Sequence, residues 1–225
     1  MDAIKTITYL FRLEDGSEHR FDIQIDRARS GNAPVGALPA WTALEHNRCP
    51  HCPLPAAASA VCPAAADLVP LVRRFSTLTS YVRAEVRVIT REREVSKHTD
   101  MQTALSGMMG LILASSACPI LARLRPLAQT HLPFVPSTEL LYRMVAMHLF
   151  GCFLRGEPAS LNSLQAFFAD IDLLNRAFIE RLRAAAQNDA SWNALLRLHA
   201  DAALVSISLD QGLEEVSRWF GAAQS

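Results

Sequence analysis

Lysine is almost missing from this chain. Only Lys5 and Lys97 stand among its 22 basic residues, and the rest are arginines. Neither sign of charge is in excess, with 22 Lys+Arg against 22 Asp+Glu. That balance argues against a general binder of nucleic acids or anionic membranes, because such proteins carry a basic surplus. There is no Gly-rich phosphate loop, no Gly-x-Ser-x-Gly elbow and no His-Glu-x-x-His. Nucleotide binding, serine hydrolysis and metalloprotease chemistry therefore lack their usual sequence footing. Residues 1–11 hold no long apolar run followed by a small-residue cleavage site. The expectation is a chain without a signal peptide, working in a reducing cytoplasm, where cysteines are thiols or metal ligands rather than disulfides.

Hydrophobic residues make up 50% of the 225 positions and charged ones 20%, a globular balance rather than a disordered one. A chain this long buries enough surface to need no disulfide staple. The stretch 101–122 is free of charge and long enough to span a bilayer. Gln102, Thr103, Ser106, Ser115 and Ser116 interrupt it, and Pro119 breaks it near its end. The better reading is a buried helix followed by a turn, with no membrane span.

Period-two alternation marks the start. Ile7, Tyr9, Phe11 and Leu13 fall on one face, Glu14-Asp15-Gly16-Ser17 makes a turn, and Phe21, Ile23 and Ile25 alternate beyond it. This is a β-hairpin with one buried face. Within 81–94, Val82, Ala84, Val86 and Val88 alternate with Arg83, Glu85 and Arg87 and predict a third strand, while Val82, Val86 and Ile89 also fit the spacing of a helix. Between them, Pro63 opens a helix to about residue 79, with Leu68, Leu71, Val72 and Phe75 as its stripe and Pro70 awkward within it.

After Thr99, helical patterns dominate. Helices are expected near 100–116, 119–130, 137–154, 161–187, 190–205 and 209–221. Ser137, Ser160 and Asp189 serve as N-caps. Leu164, Phe167, Phe168, Ile171, Leu174 and Phe178 form a core stripe, and Trp192, Leu195, Leu196 and His199 mark the helix after it. The fold expected is α+β: a small antiparallel sheet with a Cys-rich loop, packed on an α-helical bundle. Residues 1–99 carry the sheet and loop and 100–225 the helices, in one integrated unit.

The loop carries the chemistry. His46, Cys49, His51, Cys52 and Cys62 fall within seventeen positions. Cys-x-x-Cys lets two thiolates share one centre, Cys62 adds a third, and His46 or His51 offers a fourth ligand. Zinc suits such a closed set and would order an otherwise structureless connector. An iron–sulfur cluster wants four cysteines, and Cys118 and Cys152 lie far along the chain. Alternatively, these are reduced loop cysteines that bind nothing. Cys49-Pro-His-Cys52 also resembles the active-site tetrapeptide of thioredoxin-related oxidoreductases. That resemblance implies a dithiol that opens a helix, yet Pro53 and Pro55 follow at once.

A second set comprises Lys97, Gln102, Ser106, Cys118, Arg125, His131, Glu139 and Arg143. Cys118-Pro119 reads as a helix start that acidifies the thiol. With His131 as base, and Lys97 or Arg125 holding an anionic substrate, it would make a nucleophilic site. The plainer reading is a buried Cys118 and a turn His131. Glu139 and Arg143 pair four apart on one helix. His148 and Cys152 share that spacing, and Phe150 and Phe153 beside them suggest core packing. Arg83, Arg87, Arg91 and Arg93, interleaved with Glu85, Glu92 and Glu94, make a solvated charged strand end.

Asp15-Gly16, Cys49-Pro-His-Cys52-Pro-Leu, Gln102-Thr-Ala-Leu-Ser106, Ser116-Ala-Cys118-Pro, His131-Leu-Pro-Phe and Leu141-Tyr142-Arg143 follow in an order that resembles a family of bacterial proteins of unknown function. The resemblance covers most of the chain and implies one integrated protein, with no activity attached. Two function classes stay open: a zinc-binding structural or regulatory protein, with a protein partner or a second copy, and a small enzyme.

Overall fold

The structure is a computed structural model, and it describes residues 5–25, 37–57, 59–158, 160–185, 193–194 and 214–221. Asp189, Trp192, Leu195, Leu196, His199 and most of the two last expected helices lie outside these residues.

A four-stranded antiparallel sheet is flanked by helices, the α+β architecture expected. Strands β1 (Thr6–Leu13) and β2 (Glu18–Gln24) form the hairpin, with Thr6 opposite Gln24 and Arg12 opposite Glu18. Gly16 takes a left-handed φ of 82° in its turn, where an L side chain is strained. β3 (Arg83–Ile89) pairs with the other edge of β1, and β4 (Glu94–Asp100) pairs with β3, giving the order β2-β1-β3-β4.

The strand β4 escaped the sequence reading for a physical reason. It is an edge strand, and Thr99 is its only buried residue. Exposed charge on an edge guards against further pairing and hides the alternation that betrays a strand.

The inner face of the sheet carries Ile7, Tyr9, Phe11, Ala84, Val86 and Val88, all buried. Helix α1 (Pro63–Phe75) sets Phe75 against it, 5.2 Å from the Phe11 ring centroid and 5.4 Å from that of Phe21. Pro70 sits inside α1 but on its exposed side. There, water can satisfy the carbonyl that a proline cannot reach.

Asp100 caps helix α2 (Met101–Ala114) by accepting from the Thr103 amide at 2.8 Å. The helix is buried on nearly every side, which its uniform apolarity requires. It ends at Ser115, and among the described residues no helix is long and apolar enough to cross a membrane. The helix expected over 119–130 is divided into a 3-10 turn (Leu121–Leu124) and a short α3 (Arg125–Gln129) started by Pro126.

Helix α4 (Ser137–Arg155) is capped by Pro136, so Ser137 is its first residue rather than its cap. Cys152 is buried, but Phe150, Phe153 and Leu154 are 61%, 76% and 68% exposed, so the core packing expected around Cys152 is not what the aromatic neighbours do. Helix α5 (Leu161–Arg183) starts with a reciprocal capping box between Ser160 and Ser163. Its stripe from Leu164 to Phe178 is buried as predicted. One continuous core joins residues of the sheet, the cysteine segment and the helices.

Candidate functional site

Cys62 is placed by a short antiparallel pairing. The amide of Leu44 donates to the carbonyl of Ala60, Ala43 bridges Val61, and the amide of Cys62 donates to the carbonyl of Thr42 at 2.8 Å. Both ends of the intervening segment are thereby tied together. Within it, the Cys52 amide closes a turn on the Cys49 carbonyl. Arg48 donates to the carbonyl of Leu54 at 2.6 Å and pairs with Glu45 at 2.8 Å. The loop is thus ordered by its own arginine and backbone.

A second arginine holds it from α5. Arg181 is 1% exposed. Its guanidinium donates to the carbonyls of Trp41 and Ala43 at 2.5 and 2.7 Å, and at 3.4 Å to those of Leu44 and Asn47. Its Nε has no partner, and no carboxylate among the described residues pairs with it. Burial lowers its pKa, against the opposing influence of Cys62, Cys49 and Cys52.

Cys118 joins this neighbourhood. It follows the turn after α2, where Ser116 supports it through the Cys118 amide. Cys49, Cys62 and Cys118 are buried in one core, and Cys52 packs against it. Each of the four thiols is within electrostatic reach of the other three. Burial, reinforced by the sulfurs of Cys62, Cys118 and Cys52, pushes the Cys49 thiol up to about 12. Burial also raises Cys62 and Cys118. Opposing it, the amides of Ala65 and Ala64 lie toward Cys62, short of a full capping hydrogen bond, and those of Leu121 and Ile120 toward Cys118. All five cysteines are free thiols. As the side chains stand, no three His, Cys, Asp or Glu among the described residues form a coordinating set. The four sulfurs share a neighbourhood rather than a formed centre.

His46 and His51 lie in the same loop. His46 Nε2 and both ring nitrogens of His51 are buried without a hydrogen-bond partner. The dithiol arrangement of thioredoxin-related enzymes is not reproduced. Cys49 to Cys52 is a turn, and the helix that follows starts only at Pro63. The raised Cys49 thiol is the opposite of an acidic attacking sulfur.

The second set is divided. Cys118 goes to the other cysteines, whereas His131 pairs with the Tyr9 hydroxyl at 2.6 Å. Burial holds the Tyr9 phenol well above its usual value, so the pair is a protonated phenol and a neutral imidazole, with the His131 tautomer deciding which of them donates. Burial first, then Arg143 and Lys5, lowers His131 to about 4. Arg125 donates to the Ser116 carbonyl at 3.4 Å. Arg143 turns to the Thr130 carbonyl and hydroxyl, at 2.5 and 3.2 Å, rather than to Glu139. Lys97 lies over the Phe134 ring, 5.8 Å from its centroid. His148 meets Ser163 at 2.9 Å and Cys152 at 3.7 Å.

The signal that marks Cys118 is local. Cys49, Cys52, Cys62 and Cys118 are each followed by proline, and Cys152 is followed by Phe153. A residue before proline is held extended, as Cys62 is at φ −73° and ψ 114°.

Fold and site together define an α+β protein whose core takes in Cys49, Cys62 and Cys118, with Cys52 packed against it. Residues 7–221 match the family described as Domain of unknown function (DUF6901), and the chain belongs to it. No curated protein and no solved structure matches the chain.

Proposed function

We propose that Cys49, Cys52, Cys62 and Cys118 hold one zinc ion, in a cytoplasmic protein whose role is structural or regulatory rather than catalytic. The observation that carries this reading is the meeting of four cysteines from three separate segments in one buried neighbourhood. Four thiolates make a closed tetrahedral set for zinc, with no open position for a substrate. Cys118 takes the place that spacing offered to His46 or His51. Arg181 supports the same reading. Buried charges are normally paired, and four thiolates around a divalent ion leave a net negative charge beside this otherwise uncompensated cation.

The test is elemental analysis of native protein purified anaerobically under reducing conditions. One zinc per chain is expected, lost in Cys49→Ser, Cys62→Ser and Cys118→Ser and kept in His46→Ala and His51→Ala. Metal-free native protein would refute the proposal. Loss of zinc in a histidine variant with retention in Cys118→Ser would replace Cys118 by that histidine.

The position of Cys118 favours one second reading. The distance along the chain that spoke against an iron–sulfur cluster is closed by the fold, and four cysteines suit such a cluster. Iron with acid-labile sulfide, and visible absorbance, would identify it in place of zinc.

A further inference from the structure

A cavity of about 200 Å³ lies beside the Leu121–Leu124 turn. Its walls come from α2, that turn, the loop 130–135, α4 and α5. Leu111, Leu113, Leu121, Met144 and Ile171 line it and are buried. Asn175, 5% exposed, also lines it, and no described residue hydrogen-bonds to its amide. Two cations stand along the loop wall. Lys97 lies over Phe134, and Arg143 is anchored at Thr130. Neither has a carboxylate partner among the described residues, and no Asp or Glu is among the described lining residues. Phe134 holds a left-handed φ of 63° in this loop. A non-glycine residue rarely adopts that conformation, which persists where its surroundings fix it.

An apolar chamber with unpaired cations and an amide on its wall is complementary to one chemistry. We propose that this cavity binds a small carboxylate with an apolar body, its carboxylate held by Lys97 and Arg143 and its body among the leucines of α2 and the 121–124 turn. A dry cavity near 150 Å³ accommodates benzene, so this one suits a ligand of roughly eight to ten heavy atoms. Charge-assisted hydrogen bonds in a partly desolvated mouth give the selectivity for an anion. The proposal is independent of the zinc reading, since none of the four cysteines lines the cavity.

Octanoate, octan-1-ol and octylamine are the probes, titrated into native full-length protein by calorimetry, with metal content recorded on the same sample. Octanoate is expected to bind saturably with one site per chain, about tenfold or more tighter than the alcohol or the amine. Lys97→Glu is expected to weaken it by a similar factor, and Leu124→Trp, which fills the chamber, to abolish it. The wild-type comparison of the three probes stands even if a variant fails to fold. Equal affinity for alcohol and carboxylate, no saturable octanoate binding up to about 1 mM, or unchanged binding by folded Leu124→Trp would overturn the proposal.

Discussion

The guanidinium of Arg181 donates to the backbone carbonyl of Trp41 across 140 positions of sequence. Among the described residues, it is the side chain of α5 that hydrogen-bonds to the carbonyls of the cysteine loop. Replacing it with methionine takes this donor from the carbonyls of Trp41, Leu44 and Asn47, whereas Ala43 keeps the His46 amide, and each buried unsatisfied group costs about 1–3 kcal/mol. Arg181→Met is expected to lower stability by on the order of 3 kcal/mol in urea unfolding. Arg181→Lys should recover only a fraction, because an ammonium cannot reproduce the planar fork. Equal stability of all three proteins would show that the clamp contributes nothing.

The cysteines divide into two classes. Cys118 lies with Cys49, Cys52 and Cys62, whereas Cys152 lies by His148. If the four-sulfur reading holds, chelation lowers the melting temperature of wild type and of Cys152→Ser, and leaves Cys118→Ser unmoved. Scanning calorimetry with and without chelator checks this.

Acid acts through His131. Its pKa is about 4 in the folded protein, lowered by burial and then by Arg143 and Lys5, against 6.5 as the ordinary value. The folded pKa is depressed, so the unfolded chain takes up the proton first. Stability is therefore unaffected by this group above pH 6.5, and declines as pH falls toward 4, where the loss levels off. The contribution is on the order of 3 kcal/mol. His131→Gln is expected to flatten that part of a stability–pH curve, and an unchanged slope would assign acid sensitivity elsewhere.

Ser160 caps α5 by accepting from the Ser163 amide at 3.1 Å. Ser160→Ala is expected to cost about 1 kcal/mol, and Ser160→Asp to retain most of it. Thermal unfolding of the two variants measures the difference.

The hairpin, the third strand and the stripes of α1 and α5 were legible because each repeats a burial pattern over several residues. Thr6–Gln24 is the clearest, with period two on both sides of an Asp-Gly turn. Strand β4 was not, since only Thr99 among its residues is buried. Cys49, Cys52 and Cys62 were legible as a group by spacing alone. The meeting with Cys118 was not, because tertiary packing of the segment after α2 produces it. The same holds for His131, whose partner Tyr9 lies 122 positions earlier. Spacing placed His131 beside Cys118, and the fold placed it on the sheet. Of that second set, Lys97, Ser106, His131 and Arg143 line one cavity, and Gln102, Cys118, Arg125 and Glu139 do not.

The reach of Arg181 back to Trp41 also sets a chronology. During synthesis the cysteine segment emerges long before α5, so it must wait on the ribosome without the side chain that closes it. Contacts this distant along the chain form late and slow the search for the native state. Until they form, Cys49 and Cys62 lack part of the packing that buries them in the folded chain.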